Sequence, residues 1–253
     1  MRHQHLTASA SPAPLVAVAH GSRDPRAAAT VEDLLDLVRR RSGLRVVTSY
    51  LDHAAPTPAQ AFGALTGEGV AAAVVLPLLL TAAYHSKTDI PGALAEARRA
   101  HPRLRLRYGA TLGPHPLMTA ALERRLAEAG VTPDADTALV LAAAGSSDPL
   151  ANQSVARLAR LWGTHHKLPV TAAFASASPP ATGEAVRAFR KEGRRHIAVA
   201  SLFLAPGFLP ERAAELALEA GAVAVSEPLG AHPEIARTVL ARYAVGAVEL
   251  VPV

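Results

Sequence analysis

The chain carries one pattern twice, and this internal repeat limits its possible folds more than any other feature. Residues 18–25 (Val-Ala-His-Gly-Ser-Arg-Asp-Pro) return 124 positions later as residues 142–149 (Ala-Ala-Ala-Gly-Ser-Ser-Asp-Pro). At the same offset, the apolar run 74–80 recurs as 198–204. Self-similarity at a fixed period predicts two copies of one structural unit.

The repeat continues to the end of each copy, where Pro-rich turns around His115 and His232 match at an offset of 117 residues. Their presence in both copies favours a structural role for these two histidines. We predict a disordered tail over residues 1–14 and two domains, 15–130 and 137–253, each long enough to bury its own core.

Each copy alternates short apolar runs with amphipathic stretches. The first run, 15–19, stops at Gly21, and Asp24-Pro25 then provides a helix cap and a first helical residue. The alternation predicts an α/β fold in which each domain has a small, parallel, four-stranded sheet flanked by helices. Strands are predicted at 15–19, 45–50, 72–79, 104–108, 138–141, 170–174, 197–202 and 222–225, and first-copy helices from 25 and at 58–65, 91–100 and 116–129.

Composition narrows the function. The chain of 253 residues has no cysteine, which excludes disulfides and thiolate metal sites. No apolar run is long enough to span a bilayer and no secretory signal is present, so we expect a soluble cytoplasmic protein without membrane partners. A net charge of +5 favours an anionic partner, but aromatic residues at 4% are too few for nucleic-acid stacking.

Three polar side chains follow three predicted strands of the first copy. His20 ends the first strand, Asp52 follows the second and His85 follows the third. Ligands of parallel α/β sheets bind beyond the carboxyl ends of the strands, so we expect these groups to converge there. Two imidazoles and a carboxylate suit Fe²⁺, Co²⁺, Ni²⁺ or Zn²⁺ better than Ca²⁺ or Mg²⁺.

None of these three groups is present in the second copy. The equivalent positions hold Ala144, Ser176 and Leu209, so the scaffold is repeated and the chemistry is not. We therefore expect the active site in the first half. His53 is a fourth candidate, although alternation along an extended segment predicts that it points away from Asp52.

Residues 20–25, the segment 50–52 followed by Pro56, and the run 77–80 leading to His85 resemble the sirohydrochlorin chelatases. These ATP-independent, class II enzymes insert Fe²⁺ or Co²⁺ into a tetrapyrrole in siroheme and cobalamin synthesis. The resemblance covers nearly the whole chain, in the two-repeat form whose active site lies in the N-terminal half. One departure is Asp52, where the family usually has glutamate.

The resemblance implies that His20, Asp52 and His85 bind the metal ion and carry the catalysis. Asp52, or an imidazole once it has released the metal, would accept the pyrrole protons. No cofactor is implied beyond the substrate metal ion, and the other partner is an anionic tetrapyrrole. Contacts to its carboxylates are expected from four residues: Arg23, Arg26, Ser86 and Lys87.

Two other functions fit parts of the sequence. A carrier of metal or tetrapyrrole needs the ligands but no base, so Asp52 distinguishes it only weakly from an enzyme. A phosphoryl-transfer enzyme using His20 as nucleophile would need more arginines and metal carboxylates around the phosphate. Because a fused repeat supplies an interface internally, we expect a monomer whose second half closes the cleft.

Overall fold

The computed structural model describes residues 12–82 and 85–250, except for the side chain of His85. Most of the predicted tail, 1–14, lies outside these residues. The strands are β1 (Leu15–Ala19), β2 (Val46–Tyr50), β3 (Ala72–Pro77), β4 (Arg105–Tyr108), β5 (Thr137–Ala143), β6 (Val170–Phe174), β7 (His196–Leu202) and β8 (Ala224–Val225). The helices are α1 (Pro25–Ser42), α2 (Pro58–Gly67), α3 (Ile90–Ala100), α4 (Pro116–Glu128), α5 (Pro149–His166), α6 (Thr182–Lys191), α7 (Phe208–Glu219) and α8 (Pro233–Val248).

The strands form two parallel four-stranded sheets of the same topology, in the orders β2-β1-β3-β4 and β6-β5-β7-β8. This confirms the predicted α/β architecture and the tandem repeat. Within the described ranges, no helix is both long enough and apolar enough to cross a membrane.

Both sheets are covered on both faces, and residues alternate between the two sides. In β1, Leu15 and Ala17 join a central hydrophobic cluster, whereas Val16 and Val18 join an outer cluster with α2 and α3. β5 alternates in the same way, with its outer residues packed against α6 and α7. This period of two is what a strand buried on both faces produces.

The central layer joins the two halves through exchanged helices. α4, from the first half, packs on β7 of the second sheet, and α8 packs on β3 of the first. Gly246 of α8 approaches so closely that an added Cβ would lie 2.8 Å from Val74 Cγ1. α1, α4, α5 and α8 thus bury their apolar faces in one cluster that both sheets share. Each half completes the core of the other.

The turn motifs of the repeat act as helix caps. Asp24 accepts a hydrogen bond from Arg26 N and Asp148 accepts one from Leu150 N, each at 2.9 Å. The structural role predicted for the two Pro-turn histidines is confirmed, because Nδ1 of each accepts a 3.2 Å hydrogen bond at the start of α4 or α8. Burial is the main cause that lowers the pKa of both imidazoles, and the guanidinium groups of Arg242 and Arg125 lower it further.

Candidate functional site

A cleft of about 900 Å³ lies between the two halves, at the carboxyl ends of β1, β3, β5 and β7. The first half contributes His20, Arg23, Tyr50 and His53 to its walls, together with the apolar run 78–80. The second half contributes the mostly apolar segment 202–210 and the small polar residues 145–147. Among the described residues that line the cleft, Arg23 is the only side chain with a permanent charge.

His20 follows β1 directly and lines the cleft. Its Nδ1 lies 3.0 Å from the carbonyl oxygen of Gly21. A carbonyl can only accept, so Nδ1 carries the hydrogen and Nε2 carries the lone pair of the neutral ring. Histidines that bind metals are commonly held by this kind of hydrogen bond from the second ring nitrogen.

A close backbone approach brings the ends of β1 and β2 together. Asp52 N donates to His20 O at 2.9 Å, and a Cβ on Gly21, which has φ +92°, would lie 1.7 Å from Asp52 O. Only glycine fits there. The second half repeats the arrangement, with Gly145 at φ +84° against the carbonyl oxygen of Ser176.

The predicted direction of His53 is wrong. His53 has φ +60°, so the chain turns after Asp52 instead of continuing extended. Its Nε2 therefore lies 3.3 Å from Asp52 Oδ2, and its backbone N donates to Asp52 Oδ1 at 2.9 Å. His53 lines the cleft, whereas the Asp52 side chain is 60% exposed and lies outside the described lining.

His85 begins a π-helical turn, His85–Asp89, that runs directly into α3, so helical backbone starts earlier than the predicted 91. The imidazole of His85 lies outside the described atoms. The turn is anchored by Tyr108 of β4, whose hydroxyl donates to Ser86 O at 2.8 Å, and Ser86 itself lines the cleft. Burial raises the pKa of Tyr108 to about 12. The sequence analysis did not identify Tyr108 as a site residue. Its position at the end of a strand could have suggested a contact with the polar loop.

The basic residues expected at the site are placed differently from one another. Arg23 lines the cleft and has no carboxylate partner among the described residues. Arg26 binds Asp24 and Glu211, and Lys87 Nζ lies 2.5 Å from Asp148 Oδ2. The pairs with Glu211 and Asp148 connect the two halves beside the cleft.

No three histidine, aspartate or glutamate side chains within the described part of the chain converge as a ready metal site. A second cavity, of about 650 Å³, lies beyond β7 and β8. Its described walls carry no imidazole, and its arginines, Arg26 and Arg125, contact Glu211 and Glu128. The cleft between the halves is therefore the better candidate for the site.

Comparisons with known proteins identify relatives of this chain. A family model described as CbiX matches residues 14–129 and again residues 138–245. The sirohydrochlorin cobaltochelatase of Priestia megaterium is 32% identical over 206 residues, which is 79% of this chain and 66% of that protein. A sirohydrochlorin ferrochelatase of the same organism is 25% identical over 87% of this chain and 85% of its own length.

Solved structures give the same result. SirB from Bacillus subtilis with Fe³⁺ superimposes with a TM-score of 0.83 at 26% identity, covering 94% of this chain and 96% of that one. The family model covers both copies of the repeat and therefore most of the sequence. The chain belongs to the CbiX family.

Proposed function

We propose that the chain is a chelatase that inserts Fe²⁺ or Co²⁺ into sirohydrochlorin or a related tetrapyrrole without ATP. The observation that carries this proposal is the unequal cleft, in which His20 and His53 face a mostly apolar wall from the second half. The names of the relatives support the same reaction. Imidazole binds both Fe²⁺ and Co²⁺, so which metal is inserted depends on which ion is available.

In the proposed reaction, His20 and His85 hold the incoming ion, and the Asp52–His53 pair supplies a third group. The ion passes from these ligands to the four ring nitrogens. Two pyrrole N–H protons leave, so the charge on the ring site is unchanged when the divalent ion enters. Groups released by the metal, or Asp52, take up those protons.

The apolar walls provide a place for the macrocycle. The run 78–80 and the segment 202–210 offer hydrocarbon surface to the ring, and burying that surface favours binding. A cleft of about 900 Å³ is near the upper end of the usual range for ligand sites, about 300–1,000 Å³. Carboxylates at the ring edge would reach four residues: Arg23, Arg26, Ser86 and Lys87.

Arg26 and Lys87 can bind the substrate carboxylates only if they first leave their present ion-pair partners. Each is held by a carboxylate of the opposite half, Glu211 or Asp148, and both ion pairs are exposed. Exposed ion pairs contribute little to stability because water screens them, so substrate carboxylates can replace these partners. We also propose that the chain acts as a monomer, because the exchanged helices already cover the face through which single halves would pair.

The test is the visible absorption of anaerobic sirohydrochlorin with Fe²⁺ or Co²⁺, with no nucleotide added. Metal-dependent conversion faster than the spontaneous reaction, and slowed in His20→Ala, would support the proposal. Binding of the macrocycle without faster conversion would instead indicate a carrier. An absence of both effects would contradict the proposed function.

A further inference from the structure

Position 53 faces the cleft because of a backbone conformation that both halves share. His53 has φ +60° and its equivalent, Ala177, has φ +59°, and both line the cleft. The surrounding hydrogen bonds match as well: Asp52 N donates to His20 O, and Ser176 N donates to Ala144 O, each at 2.9 Å. The scaffold therefore directs this residue into the cleft in both halves, and only the first half supplies an imidazole.

The Asp52 carboxylate holds this imidazole from behind. Its Oδ1 accepts from His53 N at 2.9 Å, and its Oδ2 lies 3.3 Å from His53 Nε2. An ionised carboxylate can only accept, so this contact favours the tautomer with the hydrogen on Nε2 and the lone pair on Nδ1. A carboxylate on one ring nitrogen is the usual partner of a histidine that binds a metal through the other.

His20 has its hydrogen on the other ring nitrogen. There the Gly21 carbonyl fixes Nδ1–H and directs the lone pair to Nε2. Both imidazoles line one cleft, and a backbone hydrogen bond from Asp52 to His20 joins their loops. The Asp52 side chain, in contrast, lies outside the described lining and its oxygens already face His53.

We infer that His53, and not Asp52, is the group beside His20 that receives the metal ion, and that Asp52 is a positioning residue acting through His53. The inference rests on the proposed function, because it takes the ion as the substrate to be inserted. The site would select Fe²⁺, Co²⁺, Ni²⁺ or Zn²⁺, since imidazole suits these ions and suits Mg²⁺ poorly. A small ligand set also leaves positions open for the ring nitrogens.

The repeat itself supplies the test variants. His53→Ala and Asp52→Ser place in the first half the residues that the second half carries at 177 and 176, on the same backbone, so both should fold. The probe is Co²⁺ alone, titrated anaerobically into the full chain and followed by its visible d–d absorption. We expect His53→Ala to weaken Co²⁺ binding by about tenfold or more and to change the spectrum.

The double variant distinguishes a positioning residue from a ligand. Asp52→Ser should weaken binding in the natural chain but add nothing in the His53→Ala background, because Asp52 affects metal binding only through the imidazole. His196→Ala, which removes an exposed histidine at the start of β7, is the matched control and should bind Co²⁺ like the natural chain.

Two results would overturn the inference. The first is a His53→Ala protein that binds Co²⁺ with unchanged affinity and spectrum. The second is an equal loss from Asp52→Ser with or without His53, which would make Asp52 the ligand. Because no macrocycle is present, this titration is independent of the insertion assay. A chain that binds Co²⁺ through His53 but does not metallate sirohydrochlorin would disprove the proposed function and leave the metal site intact.

Discussion

The two halves of this molecule have nearly the same turns but different side chains. Gly21 and Gly145 make the same close approach, and residues 53 and 177 share a left-handed backbone. Yet, among the residues that line the cleft, His20 corresponds to Ala144 and His53 corresponds to Ala177. The comparison shows that the backbone geometry of the site does not depend on its functional groups, because it forms equally well around alanine.

The second half contributes in other ways. It provides the apolar wall that includes Phe203 and Phe208, the latter 78% exposed at the cleft. It also provides α8, which covers β3 of the first sheet. The second half, which contributes no histidine to the described lining of the cleft, is therefore part of the site and part of the core of the first half.

The largest effect is expected when one half is removed, so that the two halves can no longer complete each other. A chain ending at Asp134 keeps His20 and His53 but lacks α8, so the central face of the first sheet would be exposed to water. We expect aggregation and no cooperative thermal unfolding, measured by circular dichroism and size-exclusion chromatography. A folded, monomeric and active fragment would show that the exchanged helix is dispensable.

The next largest effect is expected from His20→Ala, which gives the first half the residue found at 144. Metal insertion should fall by about 100-fold or more, because the metal loses a ligand fixed by a second-nitrogen hydrogen bond. The measurement is the initial rate of the absorbance change. His196→Ala should retain the natural rate, and equal losses in the two variants would contradict the assignment.

The glycine pair tests whether the two scaffolds are equivalent. Gly21→Ala and Gly145→Ala would each drive a Cβ into a backbone oxygen, at 1.7 and 1.9 Å, from a positive φ. Each should lower the free energy of unfolding by about 3 kcal/mol, measured by urea denaturation. Assayed cold, where both remain folded, only Gly21→Ala should slow metal insertion strongly. Equal slowing would mean that the second loop also shapes the chemistry.

The smallest effect concerns the capping histidines. Their lowered pKa means that both are neutral above the unfolded value of 6.5, where their titration does not make stability depend on pH. Below that pH the histidines of the unfolded chain bind protons more readily than those of the folded chain. The free energy of unfolding therefore falls as the pH falls below 6.5.

His232 is the more buried of the two, at 4% exposure, and should contribute more to this acid sensitivity. Replacing it with asparagine keeps a helix cap that does not titrate. We expect the drop in melting temperature between pH 7.5 and 5.5 to shrink by a few degrees in His232→Asn, and by less in His115→Asn. The reverse order would mean that burial is not the controlling cause.

Much of the fold could be predicted from local signals. The apolar run of β1 stops at Gly21, and Asp24-Pro25 both caps and begins α1, so that boundary is encoded within ten residues. Strand ends on one edge of a parallel sheet follow from topology alone, which is why His20 was assigned correctly to the edge where the cleft opens.

The remaining features depend on contacts that a local pattern does not specify. The apolar face of α8 predicts burial but not which sheet it covers, so the helix exchange could not be predicted. The left-handed backbone at His53 could not be predicted either, because glycine is the residue that usually marks such a conformation and this position holds histidine. That single dihedral angle reverses the positions expected for Asp52 and His53.

The fused, unequal halves have a consequence for facial selectivity. A cleft between two identical subunits would offer a flat ring two equivalent orientations, with the same groups on each face. Here one face of a bound ring would meet imidazole nitrogen and the other would meet leucine and phenylalanine side chains. Metal would then enter from one side only, with a stoichiometry of one ion per chain.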